Sequence, residues 1–262
     1  MIGRVLTIAG SDSGGGAGIQ ADIKTITMHG CYAMSVITAL TAQNTLGVTG
    51  ILEVPPEFIA KQMDAVFPDL EPDAVKIGMV SGKKQVLAIS EKLKEYRPKW
   101  LVIDPVMIST SGHRLLQQDA MDALVTELLP MADLLTPNIP EAEALTGKAI
   151  GSVADMRAAA EQLAAQFEAA VLVKGGHLTD TATDVLCEGG KVTELPAVRV
   201  DTRNTHGTGC TLSAAIASNL SKGMSVMVST CAAKGYLAAA LRAGFDIGQG
   251  SGPLLHNFNL TV

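Results

Sequence analysis

Cys210 stands in a turn of two glycines and a threonine, His206-Gly207-Thr208-Gly209-Cys210-Thr211, that runs into the small, apolar segment Leu212 to Leu220. Gly207 and Gly209 lack a Cβ and let the backbone turn with its N–H groups inward. Thr208 is placed to cap a helix whose first free N–H groups then face the loop. Such an end carries about half a positive charge and suits an anion, above all a phosphate in transfer. A thiol at the same end is biased towards thiolate and becomes a better base. A tight glycine turn ahead of a buried helix explains the same residues without chemistry.

Other polar residues recur at the ends of apolar runs. Asp104 follows Trp100-Leu101-Val102-Ile103, Asn138 and Glu141 follow Ala132 to Leu135, and Lys174 follows Ala169 to Val173. Each has a plain structural alternative, such as helix capping for Asn138 or a solvated strand end for Lys174. Together they offer two carboxylates for a metal, a lysine for phosphate and an anion-binding helix end. That set suits phosphoryl transfer, where catalysis is mostly positioning and charge neutralisation. Gln43, beyond the run Tyr32 to Leu40, offers one donor and one acceptor to the edge of a heterocycle; an ordinary surface amide is the alternative. Ser11 to Gly18 forms a second glycine-rich loop, but Gly14-Gly15-Gly16-Ala17-Gly18 is not the G-x-G-x-x-G fingerprint and no G-x-x-x-x-G-K-[ST] occurs. That loop lets either a ligand or a packed helix approach the backbone.

The elements that must hold these residues alternate along the chain. Val5 to Ala9 reads as a buried strand, and Ile19, Ile23 and Ile26 have helical spacing ended by Gly30. Further strands are predicted over 32–40, 74–80, 100–107, 132–135 and 169–173, with helices over 56–66, 86–93, 119–129 and 152–167. Pro140 and Glu141 open another helix, in its first turn and near its positive end. Two shorter β segments, 182–188 and 191–195, precede the Cys210 loop. A long helix over 225–243 and a loose tail from Gly248 to Gly252 follow. Such alternation predicts one domain over 1–262, a three-layer α/β/α sandwich with a mostly parallel central sheet. In such sheets a ligand sits outside the carboxyl ends of the strands, where the polar residues above fall.

The 262 residues are 47% hydrophobic and 3% aromatic, with a net charge of -6. This composition builds a core and argues against stacking on single-stranded nucleic acid or binding a polyanion such as DNA. Cys31, Cys187, Cys210 and Cys231 show neither paired zinc spacing nor a dense disulfide pattern, as expected in a reducing cytosol. Ser11-Asp12-Ser13 interrupts the apolar N-terminus too early for a signal peptide, and no apolar run approaches the length of a membrane helix. The expectation is a soluble cytoplasmic protein with no nucleic-acid or membrane partner.

The ordered set Ala9-Gly10-Ser11-Asp12, Gly14 to Asp22, Thr41-Ala42-Gln43-Asn44-Thr45, Lys76-Ile77-Gly78-Met79, Asp104-Pro105-Val106-Met107, Thr136-Pro137-Asn138, Lys174-Gly175-Gly176-His177 and His206 to Thr211 resembles the hydroxymethylpyrimidine/phosphomethylpyrimidine kinases of thiamine biosynthesis. These belong to the ribokinase-like superfamily, and the resemblance covers nearly the whole chain. It implies two ATP-dependent steps at one site: phosphorylation of 4-amino-5-hydroxymethyl-2-methylpyrimidine, then of its monophosphate to the diphosphate. By position, Gln43 would bond the aminopyrimidine edge, with Gly10, Asp22, Met79 and Val106 around it. Asn138, Lys174, Thr208 and Lys234 match nucleotide positions, and Asp104 and Glu141 would organise Mg²⁺, partly through water. Gly207, Gly209 and Cys210 would form the anion hole, with Cys210 standing where sugar kinases carry an aspartate base. A thiol titrates near about 8.5, so the helix end is expected to lower it. The resemblance suggests a homodimer and leaves open whether K⁺ assists Mg²⁺. Its rivals are a pyridoxal kinase of the same fold and a catalytically silent pyrimidine- or nucleotide-binding protein.

Overall fold

The structure, a computed structural model, describes residues 2–107, 118–178, 181–244 and 246–260. Its strands are β1 (Arg4–Asp12), β2 (Tyr32–Asn44), β3 (Gly47–Glu53), β4 (Ala74–Ile77), β5 (Leu101–Ile103), β6 (Leu134–Leu135), β7 (Ala170–Val173), β8 (Asp184–Glu188) and β9 (Lys191–Leu195). They form one sheet in the order β3-β2-β1-β4-β5-β6-β7-β8-β9. The pairings from β2 through β1, β4, β5 and β6 to β7 are parallel, and β3, β8 and β9 add antiparallel edges. The chain leaves β1 for β2 on one side and reaches β4 on the other. That switch opens a crevice at the carboxyl ends of the central strands.

Alternate strand residues feed two cores, as a period of two requires. Leu6, Ile8, Val75, Ile77, Leu101 and Ile103 pack against α2 (Pro56–Leu70), α3 (Lys83–Tyr96), α4 (Gln118–Ala123), α5 (Ile139–Thr146) and α6 (Val153–Phe167). Val5, Ala74, Val102, Leu134 and Leu172 face the other way, against α1 (Gly18–Met28), α7 (Thr208–Ser221) and α8 (Val226–Ala243). The α/β/α sandwich expected from the alternation is therefore present. α7 is buried along almost its whole length, from Thr211 to Leu220, so its start is rigidly placed.

Three local expectations differ from the structure. β2 continues past Leu40 to Asn44 and turns into β3, a strand the sequence reading left out. The helix expected over 119–129 ends at Ala123; Leu124–Leu128 widens into a π-helical turn and Leu129–Met131 tightens around Pro130, which cannot continue an α-helix. Thr208 is the first residue of α7 rather than its cap, and Gly207, with φ 83°, takes the capping position. Only a residue without Cβ fits there, since a Cβ would meet the Gly16 carbonyl oxygen at 1.9 Å. Among the described residues no helix is long and apolar enough to cross a membrane.

Candidate active site

The carboxyl ends of β1, β4, β5, β6 and β7 open into one cavity of about 1560 Å³. A pocket for one drug-sized ligand is usually about 300–1,000 Å³, so this one has room for two ligands side by side. Gly10, Met79 and Val106 line it beside Gln43, and Asp104, Asn138, Glu141, Lys174 and Lys234 line it elsewhere. Gly207, Thr208, Gly209 and Cys210 bring the start of α7 to the same space. Asp22 does not line it. That carboxylate is fully buried beneath the sheet ends, where it takes Lys76 Nζ at 2.8 and 3.0 Å and the Thr7 hydroxyl at 2.6 Å. Lys76 points from β4 into the α1/α7 layer, so a charge in an apolar strand draws the α1 carboxylate inward instead of leaving it for a substrate.

Lys174 follows β7 directly, and its Nζ donates to Asp104 Oδ1 at 2.6 Å, which also accepts the Thr136 hydroxyl at 3.2 Å. The pair abuts the helix end: a Cβ on Gly209 would lie 3.1 Å from Asp104 Oδ2 and 3.3 Å from Lys174 Nζ. Gly207 is the cap of α7 and Thr211 donates the first intrahelical bond back to it, at 2.9 Å. The N–H groups of Gly209 and Cys210 thus lie in the turn that has no helical acceptor, and no side chain caps it.

Asn138 and Glu141 serve the cavity and the start of α5 together. Asn138 Oδ1 accepts the Glu141 N–H at 2.9 Å, and Glu141 Oε2 accepts the Asn138 N–H at 2.7 Å, a closed capping box. Burial pushes the Glu141 carboxyl up to about 7; Lys174 opposes the rise and Asp104 adds to it. Lys234, on α8, donates to the Ala182 carbonyl at 3.0 Å and pairs with Asp184, the residue that opens β8.

The thiol does not behave as its place on a helix end predicted. Burial pushes Cys210 up to about 11, while the Lys76 ammonium and the Gly18 N–H draw it down, and Asp22 and Asp104 push it further up. At neutral pH the side chain is a thiol. Its ammonium neighbour stays charged: burial works against Lys76, and the carboxylate of Asp22 outweighs it.

The first glycine loop is organised from within. Asp12, at the end of β1, accepts the N–H groups of Gly14, Gly16 and Ala17 at 2.8, 3.0 and 2.9 Å, and His206 Nε2 contacts it at 2.9 Å. The loop's amides are engaged by the chain's own carboxylate. Asp12, His206, Lys76 and Asp184 all went unmarked as site residues in the sequence reading. A visible signal existed for Lys76, a charge inside the apolar run Ala74 to Ile77, and for Asp12, an aspartate followed by a glycine turn. His206 heads the glycine turn before α7, but nothing local marks it as the partner of Asp12.

The phosphomethylpyrimidine kinase family model matches residues 12–255. The chain belongs to that family. Over 98% of its length it is 54% identical to the hydroxymethylpyrimidine/phosphomethylpyrimidine kinase of Rhizobium meliloti, of which 97% is covered. The crystal structure of phosphomethylpyrimidine kinase from Clostridium difficile matches with a TM-score of 0.82 at 47% identity, covering 91% of this chain and 99% of that one. A Bacillus subtilis pyridoxal kinase, solved as an ADP complex, matches with a TM-score of 0.91 at 35% identity over 98% of both chains. The fold is therefore ribokinase-like. As a kinase of this family the chain is a phosphotransferase with ATP as co-substrate, acting on a small molecule.

Proposed function

We propose that the cavity seats ATP and a pyrimidine side by side and runs two phosphorylations at the Gly207 to Cys210 turn. The first transfers the terminal phosphoryl group to the hydroxymethyl oxygen of 4-amino-5-hydroxymethyl-2-methylpyrimidine, and the second extends the monophosphate to the diphosphate for thiamine biosynthesis. The observation that carries this reading is the meeting of Lys174 with the uncapped start of α7, 3.3 Å from where a Gly209 Cβ would stand. A cation and two free N–H groups converge there on the point where phosphate charge develops. Gln43, with Gly10, Met79 and Val106, holds the pyrimidine. Asn138, Thr208 and Lys234 face the nucleotide.

Asp104 and Glu141 offer an all-oxygen donor set for Mg²⁺, with water and phosphate completing the shell. Two buried carboxyls, Asp104 and Glu141, line the cavity together and support this reading, and a cation beside them would relieve the burial that pushes Glu141 up to about 7. Bound there, Mg²⁺ would neutralise charge on the transferring phosphates. No residue is assigned to K⁺. Cys210 is a thiol at rest, so it first gives up its own proton to solvent and takes the hydroxyl proton as a thiolate; that transfer comes late, since a loose phosphoryl transfer needs little nucleophile activation beforehand.

ADP release with Mg-ATP tests the reading, with the hydroxymethylpyrimidine, its monophosphate and pyridoxal as separate acceptors. Turnover of both pyrimidines is expected. Turnover of pyridoxal alone would move the substrate to that of the pyridoxal kinase neighbour, and no ADP release with any acceptor would leave a silent binder. A homodimer would form through the β2–β3 hairpin, where Leu46, Ile51 and Leu52 are exposed; sedimentation at micromolar concentration is expected to give twice the chain mass of 27.2 kDa.

A further inference from the structure

We propose that Asp12, His206 and Thr41 are positioning residues that lock the Gln43 amide in one orientation and so set which heterocycle the site accepts. The inference rests on Gln43 meeting the acceptor, as proposed above.

The argument is a count of hydrogens. Asp12 is buried and its Oδ2 lies 2.9 Å from His206 Nε2. A carboxylate only accepts, so that nitrogen carries a hydrogen in whichever protonation state the ring adopts. His206 itself is held in place: its N–H donates to the Gly252 carbonyl at 3.1 Å, and Gly16 leaves room for the ring, since a Cβ there would meet His206 Cδ2 at 2.5 Å. One terminal atom of the Gln43 amide lies 3.2 Å from the same Nε2, and the other lies 3.0 Å from Thr41 Oγ1. The Thr41 hydroxyl has one hydrogen, and the Ser11 carbonyl stands ready to take it at 3.0 Å, as near as the Gln43 amide.

Only one amide orientation meets both neighbours. With the NH₂ towards His206, two donors face each other, and a Thr41 hydroxyl that turns to the amide oxygen abandons the Ser11 carbonyl. With the oxygen towards His206, Nε2–H is shared between Asp12 and Gln43, and the Gln43 NH₂ donates to Thr41 Oγ1. All four groups are then satisfied. One lone pair and one N–H remain free at the outer edge of the amide. That pair matches a ring nitrogen flanked by an amino group, which is the N3 and 4-amino edge of an aminopyrimidine. Pyridoxal carries a phenolic oxygen and an aldehyde at the corresponding positions, and its aldehyde oxygen would face the Gln43 oxygen. Freed from His206, the amide can turn over and accept either edge.

The test measures kcat and KM for the hydroxymethylpyrimidine and for pyridoxal in His206→Leu, His206→Gln, Thr41→Val and Gln43→Ala. Loss of one orienting bond is expected to raise the pyrimidine KM roughly tenfold in His206→Leu. The ATP KM should hold, the pyrimidine-to-pyridoxal ratio of kcat/KM should fall by a similar factor, and His206→Gln, which restores an N–H donor, should recover most of both. Thr41→Val removes the second anchor without removing volume and should move the ratio the same way, so the proposal stays testable if His206→Leu does not fold. A raised pyrimidine KM in Gln43→Ala with none in His206→Leu and Thr41→Val overturns the lock while sparing the substrate assignment. An unchanged pyrimidine KM in Gln43→Ala removes that assignment, and the lock with it. A fall in kcat alone in His206→Leu also overturns the lock, because it places His206 with the α7 turn instead.

Discussion

Two glycine-rich loops border the same cavity and each leads into a helix, yet one is closed and the other open. After β1, the carboxylate of Asp12 accepts the N–H groups of Gly14, Gly16 and Ala17, so the turn already holds an anion. Before α7, Gly207 caps the helix without any side-chain acceptor, and Gly209 looks onto Lys174 and Asp104. A third helix start in the cavity, that of α5, is closed by the reciprocal bonds of Asn138 and Glu141. Glycine supplies the same backbone freedom in both loops. What makes an anion site is that the chain withholds its own carboxylate, leaving the N–H groups for a ligand.

The strongest way to break this contrast is to close the open loop. Gly209→Asp puts a carboxylate on the α7 turn, starting from a Cβ 3.1 Å from Asp104 Oδ2. It should fill the anion hole from within and lower kcat/KM by more than about 10³-fold, given what a single oxyanion donor is worth. Circular dichroism should stay that of the parent; retained turnover would mean that transfer occurs elsewhere in the cavity. The opposite experiment opens the closed loop. Asp12→Ala leaves three N–H groups and His206 without their acceptor and should cost about 3 kcal/mol of folding stability, read from denaturant midpoints. Unchanged stability would show that water replaces the carboxylate at no cost.

Why the sequence displays one half of this contrast better than the other follows from range. Lys174, Asn138 and Asp104 sit at the ends of apolar runs, so strand periodicity alone places them on one rim, and the structure brings them together. Cys210 and its glycines stand next to a helix start, again a local signal. Asp22 misled because its partner Lys76 lies 54 positions away, and only tertiary packing shows which side of α1 faces inward. The Asp12–His206 contact spans 194 positions, beyond any local pattern. β3 was missed because its side chains are mostly exposed, with a glycine in the middle, so burial leaves no clear alternation to read.

Cys210 sharpens the open side. The thiol is pushed up to about 11 by burial, so it is protonated at neutral pH and the helix end does not create a resident thiolate. Only the minor thiolate form can take the hydroxyl proton, so Cys210→Ala should lower kcat by at most about 10²-fold, the low end of general-base effects, and less than Gly209→Asp does. Iodoacetamide should modify Cys210 slowly at pH 7 and faster as pH rises towards 10. Rapid modification at neutral pH would restore the low thiol expected from the sequence. Unchanged kcat in Cys210→Ala would remove its role in proton transfer.

The smallest effect separates the two closed helix starts from each other. Burial works against the Asp12 carboxylate, but His206 and the N–H groups of Gly14 and Ala17 outweigh it and hold the carboxyl below its ordinary range. Glu141 receives similar bonds, yet burial and the charge of Asp104 leave it near 7, above its ordinary 4.5. Between those two pH values the folded chain keeps a proton that the unfolded chain has lost, so this group's contribution to stability falls as pH rises from 4.5 to about 7. Glu141→Gln keeps an oxygen for the Asn138 N–H and removes the charge. The variant should match the parent in stability near pH 4.5 and exceed it by at most about 3 kcal/mol at pH 7.5, measured by denaturant unfolding without nucleotide. Parallel curves would mean that Glu141 ionises as freely as Asp12, and that the α5 start is closed by a charge as the first glycine loop is. Divergent curves would mean that one closed start carries a settled carboxylate, and that the other carries a proton which a cation beside Asp104 could displace.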